Sequence, residues 1–173
     1  MNPLQVVHVV NSLQPWGTQR ALLDVVNASR REGVASRVMA ATGGALNDAF
    51  TAGGIRPQVF GKREPASVAT ALRLAKAVIA ARPDVAHLWD EWSLNHVGPI
   101  LAYEGVSYVC SLRNPPPKLT WGRRHLGRFV LRRAATIVSP SAALQAQSLA
   151  AFRDLRLAPH WRTITDPSVR EVE

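Results

Sequence analysis

A single cysteine, Cys110, rules out an internal disulfide, and its place inside an apolar run reads as a small buried side chain. No stretch approaches the ~20 apolar residues that span a bilayer. The N-terminus lacks a basic segment leading into an unbroken apolar one, so a signal peptide is not expected and the cytoplasm is. Acidic residues are scarce: 12 Asp and Glu stand against 21 Lys and Arg, for a net charge of +9. Arginine carries nearly all of it, because lysine occurs only at 62, 76 and 118. Such a surface could attract nucleic acid, anionic lipid head groups or phosphorylated substrates, or reflect nothing more than GC-rich coding. Glycine is missing where a dinucleotide site would need it. The first loop holds only Gly17, so the G-x-G-x-x-G pattern is absent.

What is present is a repeated alternation of short apolar runs and helical periodicity. The length suits one domain, 1–173, with a sizeable core. Strands are expected at Val6–Val10, Ser36–Ala41, Gln58–Phe60, Val85–Leu88, Tyr108–Leu112, Thr136–Ser139 and Arg162–Ile164. These runs are β-branched and nearly continuous, as in strands covered on both faces of a parallel sheet. Helices are expected at Thr18–Arg31, Ala45–Ala52, Val68–Ala81, Leu94–Tyr103, Trp121–Ala134 and Ala142–Phe152. Their inward stripes read as Leu22, Val25, Val26 and Ser29; Val68, Leu72, Ala75 and Ile79; and Leu126, Phe129 and Val130. Ser67 fits an N-cap, and Gly53-Gly54 and Gly105 fit helix stops. The pattern predicts an α/β fold, a Rossmann-like doubly wound, mainly parallel sheet with helices on both faces.

In such sheets ligands gather beyond the carboxyl ends of the strands. The first loop there runs Ser12 to Arg20, where Thr18 could cap the next helix and Gly17 could admit a ligand to the backbone; a plain strand-to-helix turn fits equally. His87 could face the crevice or be a satisfied core residue. Asp90 and Glu91 could accept sugar hydroxyls, act as a base, or simply be solvated. Arg113, beside Asn114 and the prolines at 115–117, could clamp a phosphate or make a structural ion pair. Trp16, Trp89, Trp92 and Trp121 all fall in or beside loops at that edge, which suits sugar rings or loop packing. Arg124, Arg128 and Arg132 recur every four residues on one helical face with Trp121 nearby, as on a membrane-surface helix or a solvated one.

These stretches, in order, resemble the N-terminal domain of family 4 glycosyltransferases, which have the two-domain GT-B architecture. VVHVVNSLQPWGTQRALLDVV is similar to the family's first strand, glycine loop and helix, and TGGALNDAFTAGGI to its second crossover. ARPDVAHLW resembles its R-P-D-V-V-H-x-H strand, VCSLRNPP the strand tip that often bears histidine, and RRAATIVSPSAAL its R-A-D-x-V-x-x-x-S segment with Ser141 at the serine. Such enzymes move a sugar from a nucleotide-sugar to an acceptor, and this domain mainly holds the acceptor. The resemblance assigns approach to the donor diphosphate to Gly17 and the Thr18 backbone, and acceptor-side roles to His87, Glu91, Arg113 and Asn114. Trp16 replaces the usual first glycine, Gln19 a common acid, and Trp89 the second histidine.

Thr163 to Val169 is similar to the family's linker into a donor-binding domain, which the resemblance leads one to expect outside residues 1–173. The resemblance therefore implies no catalytic residue, metal or resident cofactor here, and transfer from a nucleotide-sugar only with a C-terminal donor half. That half would come from a separate chain or a homo-oligomer. The alternative is a non-catalytic module of the same fold that binds a partner or an anionic membrane surface through the arginine face. Nucleic acid is not expected, since no recognised motif accompanies the charge.

Overall fold

Seven apolar runs assemble into one parallel sheet. A computed structural model describes residues 3–61, 67–115, 120–152 and 160–164. In chain order the elements are β1 (Gln5–Ser12), α1 (Gly17–Arg31), β2 (Ala35–Thr42), α2 (Asn47–Ala52), β3 (Gln58–Val59), α3 (Val68–Ala81) and β4 (Val85–Leu88). They continue as α4 (Glu91–His96), α5 (Gly98–Tyr103), β5 (Tyr108–Ser111), α6 (Trp121–Arg133), β6 (Thr136–Ser139), α7 (Ala142–Ala151) and β7 (Trp161–Thr163). The spatial order is β3-β2-β1-β4-β5-β6-β7, with every neighbouring pair parallel. The reversal between β1 and β4 makes the sheet doubly wound and opens a crevice above it.

The expected strands fall within a residue or two of these bounds. The expected helix at Leu94–Tyr103 is instead two, because Pro99 has no N–H to return to Asn95 and the helix breaks at Val97. It also starts earlier, at Glu91, because Asp90 caps it. Ser67 caps α3 by accepting from the Thr70 N–H at 3.2 Å. Gly105, at φ 70°, ends α5 in the left-handed conformation that glycine adopts without strain.

Three inward stripes are corrected. In α1 the buried residues are Gln19, Leu22 and Val26, with Val25 exposed. In α3 they are Thr70, Ala71, Leu74, Ala75 and Val78, with Val68 and Leu72 exposed. In α6 they are Gly127, Val130 and Leu131, with Leu126 exposed. In α6 a small residue sits inward because a neighbour comes close: a Cβ on Gly127 would stand 2.8 Å from the Phe152 ring. A reading weighted by hydrophobic bulk rotates such helices the wrong way.

The core is two unequal layers. α3 to α6, with Phe152, bury one face against Val7, Val9, Ala86, Leu88, Tyr108, Cys110 and Ile137. On the other face α1 and α2 cover Val10, Val38, Ala40 and Trp89 through Leu22, Val26 and Phe50. Beyond them Val85, His87, Val109, Thr136 and Val138 alternate with fully buried neighbours and are only half-buried. Val85, Val109 and Val138 belong to neither packed layer.

Candidate functional site

The β1–α1 loop is held from the side. Leu46 N–H donates to the Leu13 carbonyl at 3.0 Å, and Gly44 stacks its backbone directly on that of Leu13 and Gln14. α1 then begins at Gly17 after an extended Trp16, and no side chain caps it. Thr18 is therefore inside the first turn, not the cap. The uncapped N–H groups of that turn and the partial positive charge of a helix start favour an anion. A Cβ at Gly17 would meet nothing within 4 Å, so the backbone is open there.

An open cleft of about 1370 Å³ lies above the sheet. Trp16, Gly17, Thr18, Glu91, Arg113 and Asn114 all line it, so the fold gathers six residues that are up to 98 positions apart. Sequence reasoning passed over Asn11 and Arg20, which also line it. Asn11 sits one residue past the apolar run, where a strand end offers a side chain to the crevice. Three buried polar atoms on lining residues have no hydrogen-bond partner: Asn11 Oδ1, Gln19 Oε1 and Trp92 Nε1. Buried polar groups are ordinarily paired, so two acceptors and a donor without partners mark a place that a hydroxylated ligand or water completes.

Asp90 lines the cleft and is tied to the backbone on both sides. Its Oδ2 accepts from the Asn11 N–H at 2.6 Å and its Oδ1 from the Ser93 N–H at 2.8 Å. It ties the end of β1 to the start of α4. Burial pushes its carboxyl up, against the pull of those hydrogen bonds.

His87 lies under the cleft instead of lining it. His8 and His87 are register partners on β1 and β4, with ring centroids 5.6 Å apart. His87 Nε2 shares a 2.7 Å hydrogen bond with Ser111 Oγ. Trp89 Nε1 donates to His8 Nδ1 at 3.0 Å, which puts the His8 proton on Nε2. Burial lowers His8 to about 4. His87 falls to about 3 through burial first, then the charges of His8 and Arg113. Neither histidine is a useful base near pH 7.

Trp89 is corrected from edge to core: it is 2% exposed, with the Arg113 guanidinium 5.6 Å from its ring centroid. Trp16, 56% exposed, and Trp121, 78% exposed, are on the surface. Ser141 caps α7 by accepting from the Leu144 N–H at 3.2 Å, next to the lining residue Pro140. Arg124 and Arg132 are exposed on α6 and Arg128 half-buried, all outside the cleft lining. The prolines at 116 and 117 and the linker-like residues from 165 on lie outside the described residues. Among the described residues no cluster of His, Cys, Asp and Glu could hold a metal, and no helix is long and apolar enough to cross a membrane.

The sequence profile of Glycosyltransferase Family 4 matches residues 16–159, most of the chain. The chain belongs to Glycosyltransferase Family 4. Solved structures share its fold. The Anabaena protein HepE, in complex with UDP and glucose, is 20% identical with a TM-score of 0.75, over 94% of this chain and 44% of its own. A glycosyltransferase from Rickettsia africae is 12% identical with a TM-score of 0.73, over 95% of this chain and 43% of its own. The lipopolysaccharide outer core galactosyltransferase WaaB is 10% identical with a TM-score of 0.63, over 94% of this chain and 45% of its own. The family 4 chain thus spans less than half the length of each. No curated protein matches it in sequence.

Proposed function

We propose that this family 4 chain forms the acceptor-side wall of a glycosyl-transfer cleft, and that transfer needs a donor-binding half supplied from outside these residues. The observation that carries this reading is the cleft itself. It brings an uncapped helix start, exposed indole surface and three unpartnered buried polar atoms together at the switch point of the sheet. The likeness in fold to HepE, whose structure contains UDP and glucose, supports a sugar nucleotide as donor. The described wall offers no carboxylate–histidine pair poised for proton transfer. Bringing two substrates into one geometry supplies a large share of such catalysis, and one wall cannot do that alone.

Glycoside binding tests the reading. Methyl glucoside is expected to bind the chain in the millimolar range, seen by saturation-transfer NMR. Arg113→Ala is expected to weaken it about tenfold, or about 1.4 kcal/mol. Undetectable binding at tens of millimolar, or binding indifferent to Arg113→Ala and Trp92→Ala alike, removes the reading.

A second reading, docking to an anionic membrane, draws on α6. That helix carries five arginines and no acid, and opens with the exposed Trp121. Vesicles rich in phosphatidylglycerol should float the chain at low salt, and the triple change of Arg124, Arg128 and Arg132 to Ala should abolish flotation. Equal flotation of both proteins sinks this reading.

A further inference from the structure

Beside the open cleft, and sharing Asp90, Glu91, Arg113 and Asn114 with it, lies a smaller pocket of about 40 Å³. Leu94 of α4, Leu112 after β5 and Phe152 after α7 give it apolar walls. Ser148 of α7 also lines it; the residue is fully buried, and its Oγ has no hydrogen-bond partner. A mid-helix serine ordinarily returns its hydroxyl to the carbonyl four residues earlier. This one does not, so a buried donor and acceptor stands open at a pocket with one apolar side and one polar side. Asn95 and Asn114 supply amide groups at the polar side, and Asn95 Nδ2 donates to Glu91 Oε1 at 3.3 Å, which steadies that side chain.

Size decides what can enter. A single buried water needs about 10–15 Å³ of such space, so the pocket admits roughly three water-sized groups. That is too little for a pyranose ring and more than one hydroxyl requires. A group with a methyl, a carbonyl and an N–H has the right size and the right mixture of surfaces.

We propose that this pocket selects the acetamido substituent of an N-acetylhexosamine acceptor. The proposal rests on the acceptor-side reading above and narrows it to a substrate class. The methyl packs against Leu94, Leu112 and Phe152, the carbonyl oxygen accepts from Ser148 Oγ, and the N–H donates to an asparagine amide oxygen. The pocket only binds; no bond is made or broken in it. A plain hexose, whose ring sits in the main cleft, leaves the apolar walls bare and Ser148 unpaired. One methyl in an apolar pocket together with one buried hydrogen bond implies discrimination on the order of ten- to hundredfold.

Saturation-transfer NMR on the full chain, with methyl N-acetylglucosaminide and methyl glucoside as probes, tests this. The acetamido compound should bind at least about tenfold more tightly, with its methyl protons receiving the most saturation. Ser148→Ala should lower its affinity about fivefold and leave the glucoside unchanged. Ser148→Leu, which fills the pocket from α7, should erase the preference. Leu112→Trp narrows the pocket from the opposite side and should do the same, which keeps the test open if Ser148→Leu fails to fold. Equal binding of the two glycosides by the unaltered chain overturns the proposal and leaves the acceptor-side reading intact. A preference that survives both filling variants also overturns it. Binding of neither glycoside overturns both.

Discussion

Lowering the pH from 7 to 5 is expected to cost the fold roughly 2–4 kcal/mol, because the buried His8 and the half-buried His87 are both held in their neutral form. His8 is held at about 4 and His87 at about 3, whereas both return to 6.5 on unfolding. Between these values the unfolded chain binds more protons than the folded one. The stability they confer is therefore complete above pH 6.5 and falls as pH drops through 6.5 toward their folded values. Each histidine contributes a slope of about 1.4 kcal/mol per pH unit in that window. Asp90, raised by burial, works in the opposite sense and offsets part of the loss only as carboxylates begin to protonate. Against a total stability of roughly 5–15 kcal/mol, the effect removes a sizeable share before ordinary acid denaturation begins. Urea midpoints at pH 7 and pH 5 measure it. The double variant His8→Asn with His87→Asn should lose most of the difference, and an equal shift in both proteins would contradict the assignment.

Gly44→Ala is expected to destabilise the chain by about 3 kcal/mol or more, since a small residue is forced into a packed site with no give. A Cβ there would overlap the Leu13 carbonyl and the Gln14 nitrogen, and these are backbone atoms of the β1–α1 loop. The neighbouring Gly43→Ala is the control. Its Cβ would stand 3.2 Å from Asn47 Nδ2, the end of a flexible side chain, and should cost well under 1 kcal/mol. The two variants should also separate in glycoside binding. Gly44→Ala displaces the loop that carries Trp16 and Gly17, so residual folded protein should bind weakly, while Gly43→Ala should bind normally. Matching urea midpoints for the two variants would show that the loops are not stacked as described.

The strands and their parallel order were legible in the sequence because burial on both faces leaves continuous β-branched runs. Helix orientation was less legible. Ala71 and Gly127 are buried, Gly127 against the Phe152 ring, and periodicity of bulky residues registers neither. At the site, loop position and the family resemblance brought Gly17, Glu91, Arg113 and Asn114 under suspicion, and the fold does gather them around one cleft. Trp89 escaped because its partner His8 is 81 residues away, and no local pattern reports that hydrogen bond. Asp90 carried a local signal, a capping box with Ser93, that a search for acids and bases passes over. Ser148 could not have been found, because an unpaired hydroxyl is visible only once its surroundings are known.

The uneven covering of the sheet bears on how this sequence can drift. Within β4 and β6, Ala86, Leu88 and Ile137 are enclosed by helices, and a change of one methylene there is felt by the whole layer. Their immediate neighbours Val85, Thr136 and Val138 point to the opposite face and are only half-buried. A single short strand thus obeys two rules of substitution, strict at one residue and lenient at the next. Polar replacements should accumulate first along that open row, unless something outside this chain holds it apolar.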